Sequence, residues 1–168
     1  MLIKEKLGNI KTTTIISQDI DAVIIEWYEA GKRILHKQTK SGIDITIKFL
    51  KENPDLKDGD ILWRDENSII AVEIKPCKCI IITPGDMLMA SSICYEIGNR
   101  HLPLFYEGED LLVPYEMPLY TLLQASGYEL RMEERKLSNA FKTTVLPHLQ
   151  VAGTDSLFSK ILQLPTSS

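Results

Sequence analysis

Pro76-Cys77-Lys78-Cys79-Ile80-Ile81-Ile82-Thr83-Pro84-Gly85-Asp86-Met87 is where this chain changes its hydrophobic period. A short apolar β run, Ile80 to Thr83, leads through Pro84-Gly85 into a helical pattern that Asp86 is placed to cap. Met87, Ala90, Cys94 and Ile97 then recur at spacings of three, four and three, one face of a helix able to pack on a sheet. Downstream, the apolar run Leu104-Phe105-Tyr106 reads as a strand, Gly108 as a turn and Leu111-Leu112-Val113 as another strand. Pro118 opens a second helix and a strand runs from Tyr128 to Met132. The order is β-α-β-β-α-β, the ferredoxin-like motif.

Upstream, the period is two. Ile43-Asp44-Ile45-Thr46-Ile47-Lys48-Phe49 and Ile70-Ala71-Val72-Glu73-Ile74-Lys75 alternate apolar with polar residues, which predicts strands with one buried face. Ser41-Gly42 and Asp58-Gly59 punctuate them as turns. The expected class is therefore α+β: an antiparallel β domain over 1–76, a ferredoxin-like domain over 77–136 and a tail over 137–168. In the tail, Thr154-Asp155-Ser156 precedes Leu157, Phe158, Ile161 and Leu162, which predicts a short capped helix over 156–163.

Composition narrows the function. The 168 residues are 44% hydrophobic, enough to supply real cores, and the apolar runs are too short to span a membrane. The start Met-Leu-Ile-Lys-Glu-Lys has no apolar signal core, and three cysteines, an odd number, argue against a disulfide framework; a cytoplasmic protein is expected. Residues 1–78 carry 13 basic and 13 acidic side chains, so the whole net charge of −4 falls on the second half. That half repels phosphate, and no basic stripe points to nucleic acid.

Three histidines are present, and one ends the first predicted helix, in Cys94-Tyr95-Glu96-Ile97-Gly98-Asn99-Arg100-His101. Gly98 and Asn99 both tolerate the left-handed conformation of a helix C-terminus, so the helix is expected to stop there and free His101. The carbonyl end of a helix favours a nearby cation by about 0.3–1 kcal/mol. Imidazole suits Ni²⁺, Cu²⁺ and Zn²⁺. Against this, His101 also falls at the next position of the apolar stripe, where it would be an ordinary half-buried histidine.

The stretch Tyr95-Glu96-Ile97-Gly98-Asn99-Arg100-His101-Leu102-Pro103-Leu104 resembles the Gly-Asn-Arg-His segment of the urease accessory protein UreE family, nickel metallochaperones. Leu7-Gly8-Asn9-Ile10, Glu26-Trp27, Arg33, Asp44-Ile45-Thr46-Ile47 and Gly59-Asp60-Ile61-Leu62 resemble that family's N-terminal domain, so the likeness covers roughly residues 1–135. The resemblance implies a partner- or peptide-binding N-terminal domain and a metal-binding domain that dimerises. It also implies that His101 binds Ni²⁺ with its twofold mate, and that the metal passes through the GTPase UreG to apo-urease, the protein being a carrier and not an enzyme. Zn²⁺ or Cu²⁺ could occupy the same site, and pairing of dimers into tetramers stays open. A twofold axis near His101 would supply two identical ligands from one residue.

His148, in Leu146-Pro147-His148, is the second metal candidate, because some members of the family use a tail histidine; a solvated tail residue is the equal alternative. His36, between Leu35 and Lys37, reads as a strand residue remote from the site. Other members carry a histidine-rich tail or a His-x-His pair after the motif; here the corresponding positions are Tyr115 and Met117, which implies low storage capacity. Arg100 is expected to pair with Glu96, since guanidinium cannot ligate a cation. Cys77 and Cys79 form a Cys-x-Cys pair with side chains on one side of an extended segment, a weak soft-metal signal against an ordinary linker reading. Cys94 reads as a small buried hydrophobe. A thiol enzyme built on Cys94 and His101 fails on distance, since seven helical residues rise about 10 Å. A protein-interaction scaffold of urease assembly without metal is the alternative to the carrier.

Overall fold

The computed structural model describes residues 1–15, 18–50 and 53–141; the expected helix over 156–163 and His148 lie outside them. The N-terminal half carries six strands: β1 (Leu2–Ile3), β2 (Asp19–Ile25), β3 (Ile34–Gln38), β4 (Asp44–Lys48), β5 (Ile61–Arg64) and β6 (Ser68–Ile74). The C-terminal half carries β7 (Cys77–Ile82), α1 (Met87–Asn99), β8 (Phe105–Glu107), β9 (Asp110–Pro114), α2 (Met117–Ala125) and β10 (Arg131–Arg135). The class is α+β.

The six N-terminal strands form two three-stranded sheets, β1-β4-β3 and β2-β6-β5. Ile3, Leu35, Ile45 and Ile47 of the first meet Val23, Ile25, Ile70, Val72 and Ile74 of the second in one buried cluster. The expectation of antiparallel pairing needs correction: β3/β4 and β5/β6 are antiparallel, but β1/β4 and β2/β6 are parallel. Parallel partners lie far apart in sequence, so no local turn announces them. The single buried face read for β6 is corrected as well. Ile70, Val72 and Ile74 face the sandwich core, while Ile69 and Ala71 are buried on the outer face beneath Ile10 and Ile15. A central strand covered on both sides does not depend on alternation.

The second half has the ferredoxin-like arrangement, with its four strands in the order β10-β7-β9-β8 and every neighbour antiparallel. Ile80, Ile82, Leu111 and Val113 pack under the two helices against Ile93, Ile97, Leu119 and Leu123. Cys79, Ile81 and Leu112 point to the opposite face, where Phe105, Leu137 and Trp27 close over them. Trp27 also borders the core of the N-terminal sandwich and meets the Phe105 ring edge-on at 5.7 Å. It thus joins the two halves, helped by ion pairs from Lys136 to Asp58 at 3.0 Å and to Glu73 at 3.9 Å. The last strand begins at Arg131, not Tyr128: Tyr128 and Leu130 instead pack onto the helical-side core after Gly127 ends α2 at φ +83°. Beyond β10, Ala140 bridges to Phe105, and Phe141 N–H donates to the carbonyl of Leu104 at 2.9 Å.

Candidate metal centre

Asp86 starts the helix that leads to the site. Its extended backbone and its carboxylate, which accepts from Met89 N–H at 2.7 Å, make a side-chain N-cap. The buried face of α1 is Ile93 and Ile97, with Met89 and Cys94 packed alongside. Met87, expected in that stripe, is 81% exposed; Cys94 and Ile97 do face the core, joined there by Met89 and Ile93.

The helix ends in a way the sequence reading missed. Gly98 and Asn99 are both helical, Arg100 caps the helix in the right-handed region, and His101 itself takes the left-handed conformation at φ +56°. His101 N–H donates to the carbonyl of Gly98 at 2.9 Å and Leu102 N–H to that of Ile97 at 3.4 Å. These are the two bonds of a Schellman motif, and Leu102 and Ile97 supply its apolar contact. The signal was present: an apolar pair five residues apart, with Pro103 immediately after. Glycine is the usual occupant of this position, and an L-residue there costs of order 1–2 kcal/mol. Here a histidine holds it.

The turn takes His101 off the stripe and hands the next buried position to Leu102, so the half-buried alternative fails: the imidazole is exposed beside the carbonyl end of α1. Arg100 does what its chemistry predicts, approaching Glu96 Oε1 at 3.7 Å and donating to its carbonyl at 3.0 Å. Leu88 and Tyr95, seven residues apart and therefore on one side of α1, are 77% and 74% exposed. Such residues leave apolar side chains open along α1.

Among the described residues, no three histidine, cysteine or carboxylate side chains converge as a metal cluster. His36 lies on β3, exposed, with Nδ1 3.1 Å from Thr46 Oγ1. Tyr115 follows β9 and Met117 opens α2, with the Tyr115 hydroxyl 3.5 Å from the Met117 sulfur and the Lys78 ammonium 4.1 Å from the Tyr115 ring centroid. Cys77 and Cys79 are residues of β7 and not of a linker. Cys94 packs against the helical core, and burial pushes its thiol pKa up, which disfavours a nucleophilic thiolate.

Several stretches that carry the family resemblance serve the frame. Leu7 N–H donates to the Ile61 carbonyl at 2.8 Å and Ile10 N–H to that of Gly59 at 2.9 Å, while the Asn9 amide reaches Asp60 Oδ1 at 3.0 Å. Gly59, at φ +87°, lies so close to Ile10 that a Cβ would meet Ile10 Cγ1 at 2.8 Å. The opening motif and the Gly-Asp motif are thus one contact.

Comparison with known proteins agrees with this geometry. Residues 3–75 match the family model of the UreE urease accessory protein N-terminal domain, and residues 77–144 that of its C-terminal domain. The urease accessory protein UreE of Flavobacterium johnsoniae is 40% identical over 164 residues, covering 98% of this chain and 99% of that one. The proteins of the same name from Helicobacter pylori and Acetivibrio thermocellus are each 38% identical, covering 88% and 82% of this chain and 89% and 90% of theirs. With both domains matched and the likeness running nearly end to end, the chain belongs to the UreE family of urease accessory proteins.

Proposed function

We propose that this protein is a cytoplasmic nickel metallochaperone that carries Ni²⁺ to apo-urease, through UreG, without catalysing a reaction itself. The observation that carries the reading is the left-handed His101: an exposed imidazole is kept where glycine would be easier, at the carbonyl end of a helix. Family membership supplies the urease context.

One imidazole binds metal weakly, so the carrier acts as a homodimer in which two His101 side chains meet on a twofold axis. The open face of α1 around Leu88 and Tyr95 supports this arrangement, since exposed apolar residues on the helix that leads to His101 suit a self-complementary contact. His148 is assigned as a supplementary ligand.

A calorimetric Ni²⁺ titration with oligomeric state followed in parallel tests the reading. Saturation at about one ion per two chains is expected, by the symmetry argument, and His101→Ala is expected to abolish it. Because imidazole must be deprotonated to ligate, affinity is expected to fall as the pH is lowered. Retained binding in His101→Ala would remove His101 as the primary ligand. No binding by the wild-type protein would leave a scaffold of urease assembly as the function.

A further inference from the structure

Cys77 and Cys79 take no part in the nickel chemistry above. Both lie on β7, two residues apart, and so project from one face of the strand. Their Sγ atoms stand 3.7 Å apart. Two thiolates bound to one metal at about 2.3 Å stand about 3.8 Å apart when the angle between the bonds is near-tetrahedral, so this spacing suits a bent dithiolate chelate. Cys79 is fully buried, whereas Cys77 is half-buried, so an approach leads through Cys77. The Cys79 thiol donates to the Cys77 carbonyl at 3.2 Å and lies 3.9 Å from that of Arg135.

Burial pushes the Cys79 thiol up to about 12; the neighbouring Cys77 adds to the rise, while Arg135 opposes it. Burial raises Cys77 too, with the carboxylates of Glu26 and Glu134 acting in the same direction and a hydrogen bond with Cys79 acting against it. Any ion must displace these protons, and the donor set of two sulfurs without an imidazole is what favours soft ions with high affinity for sulfur. Borderline Ni²⁺ is better served by imidazole, and two thiols are half of what a structural zinc site needs.

We propose that Cys77 and Cys79 form a second metal site, a chelating dithiol for thiophilic monovalent ions, Cu⁺ above all, separate from His101. Loading breaks two S–H bonds, forms two Cu–S bonds and releases two protons to solvent, with no change of oxidation state. The bis-thiolate copper unit carries one net negative charge and has the Arg135 cation nearby as counter-charge. Because two protons leave, affinity rises about a hundredfold per pH unit while both thiols are protonated in the free protein.

The reduced full-length protein is to be titrated anaerobically with Cu⁺ held by a chromogenic Cu⁺ chelator, beside Cys77→Ser, Cys94→Ser and His101→Ala, with folding checked by circular dichroism. One Cu⁺ retained per chain is expected, with a sulfur-to-copper charge-transfer band in the near ultraviolet. Both are expected to vanish in Cys77→Ser and to persist in Cys94→Ser and His101→Ala. Should Cys77→Ser not fold, protection of Cys77 from alkylation by preloaded Cu⁺ in the wild-type protein reads the same contact. No retention by the wild type, retention by folded Cys77→Ser, loss in His101→Ala, or unprotected Cys77 would each overturn the assignment.

Discussion

In the proposed carrier, His101 combines two roles that pull apart. As a cap it is poor, because an L-residue in the left-handed region carries backbone strain; as a donor it is well placed, because the same turn lifts it off the buried stripe. His101→Gly is therefore expected to raise stability, by about 0.5–1 kcal/mol in urea unfolding, while Ni²⁺ binding is lost in calorimetry. A fall in stability would show that the imidazole is held by contacts more favourable than the strain it bears. Glu29 shows the opposite balance. Burial raises its pKa, but the hydrogen bond and charge of Lys37, 2.6 Å away, with help from Lys32 and the Glu26 backbone, bring it below its ordinary 4.5. A carboxyl depressed by folding adds stability above its unfolded pKa, and that contribution is lost as pH falls through the folded one. Acid unfolding of Glu29→Gln is accordingly expected to depend less steeply on pH below about 4.5 than that of the wild type.

Among elements, α1 matters most, since one helix sets the position of His101. Its start depends on Asp86 and its end on the Ile97–Leu102 contact. Asp86→Ala is expected to cost about 1 kcal/mol, read as a lower thermal midpoint with Ni²⁺ stoichiometry unchanged; altered stoichiometry would mean that the first turn shapes the site. The sequence showed this helix, its cap and its length well, because period and capping are local properties. Its buried face was legible only in part: Cys94 and Ile97 lie on it, whereas Met87 does not and Met89 and Ile93 do. Burial is decided by which sheet residues lie opposite. Likewise β10 begins three residues later than Tyr128 because the aromatic ring finds its place under the helices.

For the whole molecule, the question is what covers the open side of α1. Leu88→Asp is expected to shift the protein from dimer to monomer in light scattering and to remove the two-chain Ni²⁺ stoichiometry, with the thermal midpoint of the monomer fold retained. A dimer that persists would place the twofold contact elsewhere. Trp27 and Lys136 tie the two halves together, so the face that carries α1 and the sandwich are presented as parts of one body. No described helix is long and apolar enough to cross a membrane.

By itself the sequence determined the alternation of strand and helix, the turns at Gly42 and Gly59 and the N-cap of α1, because each rests on periodicity or turn chemistry within a few residues. Only the tertiary structure decided the parallel pairings of β1 with β4 and β2 with β6, the burial of β6 and β7 on both faces, and the approach of the Cys77 and Cys79 sulfurs to each other. It also decided that the left-handed residue is His101 and not Gly98 or Asn99. The physical reason is the same in each case: these features depend on which distant residues supply the covering surface, and Leu102 can reach the core only if the residue before it makes the turn.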